Sequence, residues 1–87
     1  MSVSSEEKLK QVAEMMSRVA EDTTVPRNIR RAVGEAKNAL LNKSNDAMVR
    51  ASTAISILDE ISNDPNMPVH TRTLIWNAIS ILETIRE

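Results

Sequence analysis

The chain contains no cysteine, no phenylalanine and no tyrosine, and only one glycine, one tryptophan and one histidine. Without cysteine there can be neither a disulfide framework nor a thiolate metal site to support a small core. One glycine is too few for the turns of a sheet or for a phosphate-cradling loop. The shortage of aromatics also argues against strands, which favour β-branched and aromatic residues, whereas Ala, Leu, Ile, Val and Met suit helices. Charge of one sign is lacking too. Eleven Lys and Arg against twelve Asp and Glu leave a net charge of −1, which gives no global pull toward nucleic acid or an anionic membrane. No apolar run approaches the roughly 20 residues of a membrane span, and the opening Met1-Ser-Val-Ser-Ser-Glu-Glu-Lys lacks the basic start and apolar stretch of a secretion signal. The expected location is the cytoplasm.

What remains is an 87-residue chain, 41% hydrophobic, with room for one domain that buries only roughly 60–65% of its unfolded surface. Its apolar residues recur with helical spacing. The first helix is expected from about Ser5 to Glu21, opened by a capping box of Ser4 and Glu7, with Leu9, Val12, Met16, Val19 and Ala20 inward. Asp22-Thr-Thr-Val-Pro breaks that pattern, and the second helix starts near Pro26 with Ile29, Val33, Ala36 and Leu40 as its stripe. After Asn42-Lys-Ser-Asn-Asp comes a third helix, from Asn45 or Asp46 to Ser62, with Ala47, Ala51, Ala54, Ile55, Leu58 and Ile61 inward. Asn63-Asp-Pro-Asn-Met-Pro ends it securely. A fourth helix is expected from Pro68 to Arg86, burying Leu74, Ile75, Ala78, Ile79, Leu82 and Ile85. The short connections imply antiparallel neighbours.

A displacement of 42 residues aligns Asp22 with Asp64, Pro26 with Pro68, Arg30 with Arg72, Ala36 with Ala78 and Leu40 with Leu82. The reading is a duplicated helix-turn-helix hairpin, with repeats at about 5–42 and 45–87. Its Asp…Pro…Arg junction resembles hairpin repeats of HEAT type, in which an acid at the turn and an arginine on the following helix lock the hairpin. Two units could stack or close on each other; an antiparallel four-helix bundle hides more apolar face and is the expected all-α architecture. Asp22–Arg30 and Asp64–Arg72 are then expected to be structural pairs.

Few residues could carry chemistry. Arg27, Arg30 and Arg31 crowd the start of the second helix, where the helix dipole disfavours cations. Either they form an anion site, for RNA phosphate or a nucleotide, or Glu21, Asp22 and Glu35 neutralise them; the second reading is preferred. His70 has no second His or Cys to share a metal or a nucleophile, so it reads as a helix-start hydrogen-bonder. The stretch Asp59-Glu-Ile-Ser-Asn-Asp-Pro-Asn lacks calcium-loop spacing and reads as a helix stop. Trp76 and Gly34 occupy matching repeat positions, and the indole is expected to fill the space that the glycine leaves, or else to mark a partner surface. No catalytic, cofactor or metal site emerges, and the chain reads as a non-enzyme.

The segments Asp22-Thr-Thr-Val-Pro-Arg-Asn-Ile-Arg-Arg-Ala and Leu58-Asp-Glu-Ile-Ser-Asn-Asp-Pro-Asn-Met-Pro-Val-His-Thr-Arg-Thr-Leu-Ile-Trp resemble the signature stretches of a family of small archaeal proteins catalogued as uncharacterised. The resemblance implies a four-helix fold and an archaeal cytoplasm, and it carries over no functional residue. The expected function is a helical interaction module that self-associates or docks on a protein. The alternative is an RNA- or ribosome-associated protein using the arginines of the second helix; Arg27, Arg30, Arg31, His70 and Trp76 are the residues on which either surface would draw.

Overall fold

A computed structural model describes residues 4–85, which form four helices: α1 (Ser5–Ala20), α2 (Arg27–Leu41), α3 (Ala47–Ile61) and α4 (Val69–Leu82). The α1 start is capped as its sequence requires. Ser4 Oγ accepts from the Glu7 amide and the Glu7 carboxylate accepts from the Ser4 amide, each bond satisfying a backbone donor that the first turn leaves free. Asp46 caps α3 by accepting from the Val49 amide. The starts of α2 and α4 have proline at the cap position and no side-chain cap.

Helix direction follows from which ends meet. Arg50, near the start of α3, reaches Glu6 at the start of α1 and the Leu40 carbonyl at the end of α2. At the opposite end, Asn28 at the start of α2 meets Asp64 after α3, and His70 at the start of α4 approaches Asp22 after α1. The helices therefore alternate in direction. Around the molecule α1 packs on α2, α2 on α3, α3 on α4 and α4 on α1, while α1 also touches α3 across the middle and α2 does not meet α4. The cross-section is a flattened rhombus with α1 and α3 on its short diagonal, consistent with overall dimensions of 35 × 26 × 19 Å.

One contiguous core fills the centre. Leu9, Val12, Ala13, Met16 and Val19 come from α1, and Ile29, Val33, Ala36 and Leu40 from α2. The α2 stripe is the one its periodicity predicts. On α3 only Ala51, Ala54 and Leu58 of the predicted stripe are fully buried, with Ala47, Ile55 and Ile61 packed at the margin; on α4, Leu74 and Ile79 are likewise marginal. Val25 and Met67, one from each proline-ended junction and 42 residues apart, are buried and close the core at that end.

The fourth helix is shorter than its pattern suggests. It stops at Leu82 rather than Arg86: the Ile85 amide donates back to the Leu82 carbonyl, and Thr84 Oγ1 donates to the Ile81 carbonyl at 2.6 Å. A hydroxyl that satisfies a terminal carbonyl locally competes with another helical turn. Ile85 still reaches the core from beyond the helix. Arg86 lies outside the described residues, as do Met1–Val3.

Candidate functional site

All three inter-helix junctions are built to one pattern. An Asx residue begins each: Asp22 Oδ1 accepts from the Thr24 amide, Asn42 Oδ1 from the Ser44 amide and Asp64 Oδ1 from the Asn66 amide. The backbone carbonyl of each Asx accepts from the residue three further on, Val25, Asn45 or Met67. Four residues after the Asx comes the helix cap, Pro26, Asp46 or Pro68, and eight residues after it an arginine, Arg30, Arg50 or Arg72.

Each of these arginines turns back onto carbonyls of its own junction or of the helix before it. Arg30 Nε donates to Val25 O at 2.9 Å, and Arg50 Nε to Leu40 O at 3.0 Å. Arg72 donates to Ser62 O, and through its second terminal nitrogen to Asp64 O at 3.0 Å. This corrects the expected Asp22–Arg30 and Asp64–Arg72 ion pairs. The guanidinium locks the hairpin, but it does so through main-chain carbonyls that a helix end leaves without partners. A planar cation with five N–H donors and no acceptor suits that task.

The carboxylates released from that role reach across between hairpins. Asp64 Oδ2 accepts from Asn28 Nδ2 at 2.8 Å, and Asp22 Oδ2 lies 3.8 Å from His70 Nε2. Residues 28 and 70 are themselves 42 apart, so the two contacts are reciprocal. The longer one exceeds hydrogen-bond length, and His70 is well exposed. The carboxyl of Asp22 is held below its usual value chiefly by the Thr24 hydroxyl and amide, and that of Asp64 by the Asn66 amide and then Asn28. The stop at Asp59–Asp64 is also internal: Ser62 Oγ and Asn63 Nδ2 both donate to Asp59 O.

Among the sequence-predicted site residues, Arg27 and Arg31 point into solvent, and no carboxylate lies within ion-pair distance of them among the described residues. Neutralisation by Glu21, Asp22 and Glu35 therefore does not take the form of ion pairs, and the acid that faces the start of α2 is Asp64, from the other hairpin. Arg30 is half-buried and occupied by Val25 O.

The expected packing of Trp76 against Gly34 is not found. Gly34 lies on α2 and Trp76 on α4, which are not neighbours; a Cβ built at Gly34 would meet nothing within 4 Å, and Trp76 is 55% exposed. These two matching positions lie on helices that do not touch, so the glycine and the indole do not meet.

Sequence reasoning missed Arg50. It is buried, 4% exposed, and besides Leu40 O its fork holds both oxygens of Glu6, at 2.9 and 3.3 Å. Glu6 is largely exposed yet held below the ordinary carboxylate value, first by that hydrogen bond. Arg50 and Glu6 border a cleft of about 460 Å³ floored by Leu9, Leu40 and Leu41, with Glu7, Lys10 and Lys43 on its rim. Two signals were available. Arg50 sits in the apolar stripe of α3, three residues after Ala47 and four before Ala54, and it stands at the arginine position of the third junction.

The uncharacterised protein family UPF0147 matches residues 1–85. The chain belongs to UPF0147. It is 57% identical over 83 residues to a UPF0147 protein of Methanothermobacter thermautotrophicus, covering 95% of this chain and 81% of that protein. It is 58% identical over 81 residues to one of Methanocaldococcus jannaschii, covering 93% and 87%. The crystal structure of the unknown-function protein MMP1188 is similar over the whole chain and 99% of its own, with a TM-score of 0.95 and 54% identity. A UPF0147 structure from Thermoplasma acidophilum covers 92% of this chain and 94% of its own, with a TM-score of 0.85 and 34% identity. The expected membership in an uncharacterised archaeal family of four-helix proteins is borne out, and no activity is assigned to UPF0147.

Proposed function

We propose that this UPF0147 protein is a non-enzymatic helical interaction module of the cytoplasm that pairs with a second copy of itself through the outer face of α4. The observation that carries the reading is the stripe Val69, Thr73, Trp76 and Ser80, residues of helical spacing that are all exposed, Val69 at 80% and Trp76 at 55%. Trp is among the residue types enriched where interface energy is concentrated.

The choice of a second copy rests on charge. Between Thr73 and Leu82 α4 carries none, and the neighbouring α3 carries none between Ala51 and Leu58; charge is concentrated on α1 and α2. A two-fold contact sets a patch against itself, so like charges on it would repel, and a neutral stripe avoids that cost. No helix among the described residues is long and apolar enough to cross a membrane, so the stripe is not the face of a spanning helix.

Sedimentation equilibrium tests the reading. The 9.7 kDa chain should approach twice its mass at micromolar to millimolar concentration, and Trp76→Glu should return it to the monomer with its helical content intact. As the one tryptophan in a chain without tyrosine or phenylalanine, Trp76 also reports directly: its emission should shift to the red on dilution through the dissociation range. A wild-type monomer throughout, with unchanging emission, would refute self-association. RNA binding that weakened steeply with salt and vanished on replacing Arg27 and Arg31 would favour the arginine surface instead.

A further inference from the structure

We infer that the cleft at the α1–α3 end is a binding site for a carboxylate carried on an apolar body, and that Glu6 occupies the carboxylate position when the site is empty. The three junction arginines share one structural duty, donation to main-chain carbonyls, and Arg50 discharges it with Nε alone. Its outer nitrogens are left for the forked contact to Glu6, which neither Arg30 nor Arg72 makes with any carboxylate among the described residues. That contact is lopsided. Arg50 is 4% exposed and cannot move without vacating the core, whereas the Glu6 side chain is 63% exposed and sits on the first turn of a surface helix. A carboxylate held from the solvent side can be exchanged for another at little cost in burial, and a bidentate guanidinium–carboxylate contact is among the strongest that polar groups make.

The surroundings define the rest of the ligand. Leu9, Leu40 and Leu41 offer an apolar floor, on which Leu41 is 48% exposed and open to cover. The volume of about 460 Å³ falls within the range of sites for small ligands. Once Glu6 swings out, Lys10, Lys43 and Arg50 face a single remaining acid, Glu7, so the vacated site is cationic. A neutral amide of the same shape would lose the forked contact, and an ammonium would be repelled.

Titration calorimetry with octanoate, octanamide and octylammonium at neutral pH tests this. Octanoate should bind, octanamide at least about tenfold more weakly for want of the charge-assisted pair, and octylammonium not at all. Glu6→Gln keeps the shape of the latch and weakens its hold, so octanoate affinity should rise several-fold. Arg50→Lys, which keeps the charge and loses the fork, should abolish the preference for octanoate over octanamide if it folds; because that variant removes a buried clamp, the Glu6→Gln result stands independently of it. A peptide ending in leucine, tested with a free and an amidated C-terminus, tells a polypeptide source of the carboxylate from a small-molecule one. Failure of octanoate and the free-carboxylate peptide alike to bind either wild type or Glu6→Gln would overturn the inference. Equal binding of octanamide, or a loss of affinity in Glu6→Gln, would do the same.

Discussion

A methyl group added at position 34 should make this protein more stable. Gly34 lies in the interior of α2, seven residues from either end, in ordinary helical backbone with no positive φ. Nothing in the fold requires glycine there, since a Cβ would meet no atom within 4 Å and the tryptophan at the matching repeat position lies on a helix that α2 does not touch. Two effects then act in the same direction. Glycine loses more backbone freedom on folding than alanine does, and alanine is the best helix former, which together make Gly→Ala worth roughly 0.8–1.0 kcal/mol in a helix interior. For a domain of this length 1 kcal/mol corresponds to about 4–8 °C in midpoint, so Gly34→Ala should raise Tm by about 3–8 °C. Thermal unfolding followed by circular dichroism at low micromolar concentration measures it. A fall in Tm would refute the reasoning, because it would mean that position 34 is covered in solution by a backbone or side chain approaching too closely for a methyl.

Three other outcomes follow from the junctions. Arg72→Ala removes donors to two carbonyls and should cost about 1.5–3 kcal/mol, whereas Arg30→Ala removes a donor to one and should cost about 1 kcal/mol; urea midpoints at unchanged slope give the order, and the reverse order would contradict the clamp. Arg72→Lys should not rescue, since an ammonium cannot span Ser62 O and Asp64 O in the plane of a fork. Acid should destabilise the protein. Glu6, Asp22 and Asp64 are all held below their ordinary values of 4.5, 3.8 and 3.8 in the fold, so the unfolded chain binds protons first. The stability these groups contribute is complete above about pH 5 and is lost as pH falls through and below 4. Urea midpoints from pH 6 to pH 2.5 should therefore decline, and decline less in Asp64→Asn.

The sequence made the helices legible because their signals are local: a capping box at Ser4 and Glu7, prolines at 26 and 68, and apolar residues at helical spacing. It made the α2 stripe fully legible and the α3 and α4 stripes less so. Those two helices are apolar on more than one face, and periodicity cannot say which apolar side a flattened arrangement leaves at the margin. The displacement of 42 residues aligned the two outer junctions and hid the middle one, which lies 20 residues after the first and 22 before the last. Arg50 went unseen as a consequence. The Asp–Arg pairs were found by position and assigned the wrong bond, because sequence cannot tell a carboxylate from the main-chain carbonyl beside it. The proposed contact between Gly34 and Trp76 failed for a different reason. Equivalence by repeat says that two residues occupy matching places, and in an arrangement where α2 and α4 sit at opposite ends of the long diagonal, matching places are far apart.

The two ends of the molecule differ in what they leave free. At the end where α2 and α4 begin, prolines leave the first turns without side-chain caps, and the acids that complement those helix starts come from the opposite hairpins, Asp64 toward α2 and Asp22 toward α4. The negative charge that a helix N-terminus favours is thus already supplied from within, and a ligand anion at either start would have to compete with a carboxylate held in place by an Asx turn. At the other end α1 and α3 carry their own caps, Ser4 and Asp46, and Glu7 completes the capping box of α1, so the acids at these starts come from the helices themselves. Glu6 is spent on Arg50 instead, at the edge of an apolar cleft. An acid fixed by its own turn serves the fold, whereas an exposed acid on a buried arginine can be replaced. The starts of α2 and α4 are thus occupied from within, whereas the Arg50 cleft holds an exchangeable acid and the outer face of α4 is uncharged and exposed.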